Sequence, residues 1–444
     1  MTELEITKQT KVSKMAEPNP GFGPKDRPWL NNEFFEMIIR KDYTEFLPTD
    51  KVVIEDFFCK NAVKTGENYS SDLLRLVLGF NTIDDKNVSK HYNTSYIVKC
   101  MHAEKVEAFQ LMKTLNVFGK EITMYTETMP AIAEVLKETT GFTGKLTPRL
   151  LYYTSTPSEL MVLEDLTNSG FRTANRRAGL DKEHSEMAFT RLAQMHAASM
   201  VLNKKDPKFR STYNRGGFFP SMPESLSSNY CNGVRQAIQV MHDHSKMIPF
   251  IGFFENFVEN MTRRGIELVR RVPDDEDHFN VLNHGDFWLT NMMFRYNDSG
   301  IPIEIRFIDL QMSTFGNCGL DINYFFHTSV QEQTREKYRQ QFLQRYYKTL
   351  TDVLESAKYE GFKPTFKDLE DKLYEARDIA IMTPCIVLPI VKLDAQSSET
   401  ISVDQLLDIS NSSSTGLYTN RFYIESLQYS LDHLKEIGFI TSDV

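Results

Sequence analysis

Apolar side chains follow three successive rhythms along the chain. From Trp29, the run WLNNEFFEMIIRKDY sets Leu30, Phe34 and Ile38, flanked by Phe35 and Ile39, at the spacing of one helix face, with Asn31 and Asn32 available as caps. Between about residues 50 and 101 the pattern shortens to VVIEDFFCK, DLLRLVLGF and TSYIVKCM, divided by Gly, Asn and Asp turns, which predicts an antiparallel sheet. Helical periodicity returns from Glu104 to Leu136, and LYYTSTPSELMVLEDL reads as two strands about a Thr-Pro turn. Beyond residue 166, helical spacing over roughly 181–203, 230–272, 331–357, 366–382 and 418–436 predicts an α-rich region. One strand-like island interrupts it, NMMFRYNDSGIPIEIRFIDLQ, two β-patterned runs about the turn from Asn297 to Gly300. The expected class is α+β with two lobes: residues 29–166, with the sheet, and residues 167–444, helical, after a flexible Pro- and Gly-bearing tail over 1–28.

Composition narrows the function. A formal net charge of -9 argues against a long anionic polymer on a basic face, so no nucleic-acid partner is expected, while a few local cations and a metal ion still suffice for one triphosphate. Five scattered cysteines, an odd number without any CxxC pair, suggest neither a disulfide framework nor a zinc site and point to a reducing compartment. The first residues, MTELEITKQTKVSK, lack the apolar stretch of an export signal. The most apolar run, Ile379 to Val391, contains Pro384 and Pro389 and is too short to span a bilayer. A cytoplasmic protein, with no membrane association and no protein partner inferred, is the expectation.

The strongest chemical signal is HGDFWLTN, His284 to Asn291, followed by the predicted hairpin and then IDLQ around Asp309. If the two strands pair, Asn291 at the start of one and Asp309 at the end of the other return to the same edge, beside the loop that holds Asp286. That set suits phosphoryl transfer: Asp286 as the base for a hydroxyl nucleophile, Asn291 and Asp309 as ligands of magnesium on a triphosphate. HxDxxxxN is also the spacing of protein-kinase catalytic loops. The competing reading is that Asp and Asn merely cap turns.

Kinase chemistry demands further parts upstream, in a fixed order. Lys99 lies in the apolar strand SYIVKCM, from which a cation reaches α- and β-phosphates, and Glu121 lies on a predicted helix where it can pair with that lysine. The alternative is an edge-strand lysine and an exposed helical glutamate. KTGENYSSDLLRL offers Gly66, Asn68, Ser70 and Ser71 as a phosphate cover, or as an ordinary hairpin turn, and lacks the GxGxxG of protein kinases. MVLEDL ends the first lobe, so Glu164, Asp165 and Leu166 are the expected adenine-binding crossover, with a capped strand end as the alternative. His284 reads as a support that bonds the loop backbone, His196 as a packing residue, and Asp321, in CGLDINYFF, as a helix cap or a group reaching back to the catalytic loop.

Taken in order, GENYSS, the Lys99 strand, FGKEITMY, LEDLTNSGFRTANRRAGL, RLAQMHAASM, HGDFWLTNMMF, IDLQ and GLDINYFF resemble the ecdysteroid kinase-like family, also called CHK kinase-like, over about residues 50–345. That family is related to choline and aminoglycoside kinases. The resemblance implies a two-lobed protein-kinase-like fold, ATP, Mg2+ and a hydroxylated small-molecule acceptor, ecdysteroid hormones giving the family its named activity. It also implies Asp286 as catalytic aspartate, Asn291 and Asp309 as metal ligands, Lys99 as the phosphate lysine and Glu121 as its partner. One departure is visible: Leu310 stands where the family usually has Phe between the metal Asp and Gln.

The reading is therefore an ATP-dependent phosphotransferase acting on an ecdysteroid or xenobiotic alcohol, whose acceptor site draws on the stretch from Tyr213 to Phe219 and the helices after 230. The alternative is a non-catalytic pseudokinase that binds nucleotide or steroid. A protein kinase proper is disfavoured by the missing glycine triplet and the lack of DFG and APE sequences.

Overall fold

The structure is a computed structural model that describes residues 27, 29–43, 51–62, 72–83, 87–100, 116–156, 159–206, 209–214, 216–217, 224–270, 278–393 and 416–442. Gly66, Asn68, Ser70 and Ser71, with Phe218 and Phe219, lie outside the described residues.

Helix α1 (Asn32–Asp42) begins where the sequence pattern places it, with Asn31 as the cap: its side chain accepts from the Phe34 N–H at 3.0 Å. Five strands follow, β1 (Lys51–Asn61), β2 (Asp72–Ile83), β3 (Ser89–Cys100), β4 (Leu150–Thr154) and β5 (Leu160–Glu164), in one antiparallel sheet of order β1-β2-β3-β5-β4. Alternation along the strands gives the sheet two faces. Phe35 and Ile38 of α1 join Leu74, Leu76, Leu78, Phe80, Tyr96 and Val98 in one buried cluster. Lys99, next in sequence to Val98, therefore projects from the other face, toward α2 (Val117–Thr123), which continues through a π turn (Met124–Thr128) into α3 (Met129–Thr140).

The helical region that follows is built on α4 (Lys182–Lys205), buried along much of its length, and includes α5 (Glu224–His242), α6 (Ile251–Arg270), α7 (Gly319–Thr328), α8 (Glu332–Ser356), α9 (Phe366–Glu375), α10 (Arg377–Ile386), α11 (Leu388–Lys392) and α12 (Arg421–Glu436). Phe189 of α4 stacks on Phe342 of α8 with centroids 5.4 Å apart, and the same ring meets Phe325 and Phe326 of α7. The architecture is thus α+β, an antiparallel-sheet region followed by a helix-rich one. No helix among the described residues is long and apolar enough to cross a membrane. The five cysteines are free.

Three features differ from the sequence pattern. Within the periodic stretch 230–272 the described residues form two helices, α5 ending at His242 and α6 beginning at Ile251, with Pro249 in the first turn of the short helix Ile248–Phe250 that leads into α6. The stretch 366–382 likewise divides at Ala376, between α9, opened by a Thr365–Asp368 capping box, and α10. The strand island is larger than one hairpin: β8 (Met292–Tyr296) and β9 (Pro302–Phe307) take β6 (Arg172–Thr173) as a third strand, while β7 (Val281–Asn283) pairs with β10 (Thr314–Gly316). Strands of two or three residues are too short to leave an alternation in the sequence.

Candidate active site

Strand β7 delivers the chain into the loop that holds Asp286. Asn291 donates from Nδ2 to Asp286 Oδ2 at 2.9 Å and to its main-chain oxygen at 3.0 Å, while the Tyr324 hydroxyl donates to Oδ1 at 2.9 Å. Each carboxylate oxygen is thus oriented by a neutral donor. Asp321 reaches back from the first turn of α7 rather than capping it: Oδ2 accepts the His284 N–H at 2.6 Å and Oδ1 the Gly285 N–H at 2.9 Å. Behind it stands His196, wholly buried, with Nε2 3.3 Å from Asp321 and Nδ1 2.7 Å from the Tyr346 hydroxyl. Burial holds the His196 pKa below its ordinary value, so a neutral ring donates to Asp321 and accepts from Tyr346. This residue is a link in a polar chain from α8 to the loop, more than the packing element its sequence context suggests. Gly285 is required where it stands: its φ is +80°, and a Cβ there would lie 2.0 Å from the Met312 carbonyl oxygen.

The hairpin returns the chain to the same edge. Met292 pairs with Phe307, and the Ile308 N–H donates to the Asn291 carbonyl at 3.0 Å, which sets Asn291 and Asp309 side by side. His284 contributes by donating from Nε2 to the Ile308 carbonyl at 3.1 Å, tying the Asp286 loop to the end of β9. Asp309 itself adopts a left-handed backbone with φ 61°.

Lys99 meets this edge from the sheet. Its strand lies between β2 and β5, with Leu73 and Met161 as register partners, so it is an interior lysine and not an edge one. Its Nζ sits 2.6 Å from Glu121 Oε2, 2.7 Å from Asp309 Oδ1 and 3.2 Å from Gln311 Oε1. Burial alone would push this ammonium down, but Asp309 and Glu121 together outweigh it and hold its pKa above the ordinary lysine value. The residue before Glu121 on α2, Lys120, is also buried and donates to the Ser313 carbonyl at 3.4 Å, a second tie between the helix and the segment after Asp309. The Asp286 carboxyl is raised from the usual carboxylate range by burial first and by Asp309 second, against the opposing effects of His284, Tyr324 and Asn291.

The crossover is organised differently. The Asp165 side chain accepts from Arg75 Nε at 2.6 Å, Ser95 Oγ at 2.7 Å, and the Thr167 N–H and hydroxyl at 3.0 and 2.7 Å. It caps the short helix Leu166–Ser169 and fastens that helix to β2 and β3. Glu164 pairs with Arg149 at 2.6 Å, and Leu166 is buried with its carbonyl accepting from Phe171 N–H at 3.1 Å. Tyr213, from the stretch expected near the acceptor, is buried and spends its hydroxyl on Thr128 at 2.5 Å.

The residues present fit a magnesium nucleotide. Asn291 and Asp309 supply two hard oxygen donors, and magnesium bound to phosphates characteristically takes one or two protein oxygens, with no dedicated cage. Tyr125, in the π turn after α2, has a buried hydroxyl with no hydrogen-bond partner among the described residues. Burial raises its pKa, followed by the charges of Glu121, Asp309 and Glu164. Tyr324, Gln311, Tyr125 and Tyr346 carry no spacing signal of their own in the sequence, although the first three lie inside or beside the motifs that mark the site.

No curated protein matches the chain. A solved structure of choline kinase from Cryptosporidium parvum Iowa II is similar to it at 11% sequence identity over 92% of this chain and 98% of that one, with a TM-score of 0.42, a likeness too loose to bear an argument. Residues 65–359, well over half of the sequence, match the profile of the ecdysteroid kinase-like family, and the chain belongs to that family.

Proposed function

We propose that this protein transfers the γ-phosphoryl group of ATP, with Mg2+, to a hydroxyl of a small lipophilic alcohol such as an ecdysteroid or a xenobiotic. The observation that carries the reading is the single polar assembly Glu121–Lys99–Asp309 joined through one hairpin to Asn291–Asp286. A structural ion pair alone has no need of an adjacent carboxylate held at both oxygens by neutral donors. Asp286 is the base: it accepts the acceptor's hydroxyl proton as the new O–P bond forms and the β–γ bridge breaks, leaving ADP. Burial and the charge of Asp309 raise its pKa, which makes it a stronger proton acceptor than an ordinary carboxylate. Lys99 neutralises phosphate oxygens and Glu121 fixes its direction. Asn291 and Asp309 would hold the metal, which supplies charge neutralisation on the triphosphate. His284, Asp321 and His196 keep the base loop in register.

The test is magnesium-dependent transfer of labelled phosphate from ATP to a panel of steroid and xenobiotic alcohols, with Asp286→Asn as control. Transfer by the wild type and its loss in the variant are expected. Equal turnover by the variant would remove Asp286 as base, and no transfer to any alcohol despite nucleotide binding would favour a pseudokinase.

A further inference from the structure

Away from this site, α7, α8 and α12 enclose a second set of polar groups. Arg335 of α8 is 2% exposed. Its Nη1 donates to the Phe326 carbonyl at 2.9 Å and lies 3.4 Å from His327 Nδ1, both on α7. Its Nε and Nη2, which together form one edge of the guanidinium, are buried with no hydrogen-bond partner among the described residues. That edge is the two-pronged face that grips a carboxylate or phosphate. His433 of α12 is 6% exposed and has both ring nitrogens unpartnered, and its ring lies 5.9 Å from that of His327.

Of the nearby carboxylates, Glu332 takes Lys392 at 2.8 Å and Ser426 at 2.7 Å on one oxygen, and Glu336 accepts from the Tyr429 hydroxyl; the charges of both oppose the effect of burial on Arg335, yet neither bonds its Nε or Nη2. Arg339 adds a second guanidinium: it depresses the pKa of Arg335, His327 and His433 alike, behind burial in each case. The ensemble leaves four buried polar side-chain atoms without a partner among the described residues, two on one guanidinium edge and two on one imidazole, and a charge so buried demands a hydrogen-bonded counter-group.

We infer that Arg335, with His433 and His327, forms a binding site for a small oxyanion of carboxylate or phosphate type, gripped side-on by Arg335 Nε and Nη2. A cation is excluded there by the two guanidiniums, and an apolar ligand would leave the fork unsatisfied. Because α7 also carries Asp321 and Tyr324, the site shares a helix with the supports of the base loop.

The experiment is thermal unfolding of the full chain, without nucleotide, against rising inorganic phosphate and, separately, formate, for wild type, Arg335→Met and Arg335→Lys. A saturable rise in the wild-type midpoint of about 2 °C or more is expected with at least one anion, absent in Arg335→Met. Arg335→Lys, which keeps the charge and loses the fork, should need at least about tenfold more anion for half the shift. Response to phosphate alone assigns a tetrahedral ligand; response to formate assigns a carboxylate. Anion binding at the phosphate-transfer site affects all three proteins equally and so cancels. Identical responses in wild type and in whichever Arg335 variant folds overturn the proposal, as does a wild type indifferent to both anions.

Discussion

Asp286 and Asp165 are two recessed aspartates, and their surroundings drive them in opposite directions. Burial raises both carboxyls. At Asp165 the hydroxyls of Thr167 and Ser95, the Arg75 guanidinium and a backbone N–H more than reverse it, and the pKa falls below the usual value. At Asp286 only Tyr324, Asn291 and His284 oppose burial, Asp309 adds its own negative charge, and the pKa stays raised. A carboxylate whose lone pairs are all spoken for is part of the framework; one left short of donors is poised to take a proton. Sequence alone groups Asp165 with the nucleotide contacts, and the geometry assigns its side chain to holding the crossover together.

The sharpest way to break this contrast is to neutralise each carboxylate in turn. Asp286→Asn is expected to lower kcat by about 10²–10⁴-fold. A group with a raised folded pKa destabilises the fold once charged, increasingly as pH rises through its unfolded value, so the same variant should be no less stable than wild type at neutral pH. Asp165→Asn should do the reverse, costing about 2–3 kcal/mol by leaving Arg75 without its counter-ion and placing a donor against Ser95 and Thr167. A depressed folded pKa contributes stability above the unfolded value of about 4 and loses it as pH falls toward the folded one, so the gap between wild type and Asp165→Asn should narrow in acid. Denaturation at two pH values, beside steady-state turnover, tests both; matched losses of activity and stability in the two variants would erase the distinction.

A finer probe sits on one hydrogen bond. Tyr324→Phe keeps the ring and removes the donor to Asp286 Oδ1. That donor lowers the base's pKa, so without it the acid limb of the kcat/KM profile moves to higher pH, and kcat falls about tenfold with little change in the KM for ATP. A purely structural tyrosine would leave the pH profile where it was, so an unmoved acid limb removes Tyr324 from the positioning of the base.

These contrasts also mark how far sequence reasoning reaches. The spacing from His284 to Asn291, the turn at residues 297–300 and Asp309 beyond it place the hairpin and its two oxygen donors from local pattern alone, since each lies within one antiparallel unit. Lys99 and Glu121 are readable because an ionic group amid apolar neighbours asks for a partner. The contacts of Tyr324, the relay Tyr346–His196–Asp321 and the anchoring of Asp165 by Arg75 and Ser95 span 38 to 150 residues and follow from packing, which leaves no periodic trace. β6, β7 and β10 stay invisible for the opposite reason, being so short that their tertiary partners, rather than their own residues, make them strands.

The smallest expected effect separates the two neighbours at the crossover. Glu164 adjoins Asp165 in sequence, yet its carboxylate meets Arg149, whose side chain is 41% exposed, in a pair that water screens. Its strand register comes from the backbone instead: Glu164 pairs with Tyr96 of β3, and its N–H donates to the Arg149 carbonyl at 3.0 Å. Glu164→Gln therefore keeps the backbone path that the proposed adenine contact would use. Stability should change by less than about 0.5 kcal/mol, and the KM for ATP should not move. A large rise in that KM with an intact fold would mean that the Glu164 side chain itself touches nucleotide, and the division between a framework carboxylate at Asp165 and a backbone-only crossover at Glu164 would have to be redrawn.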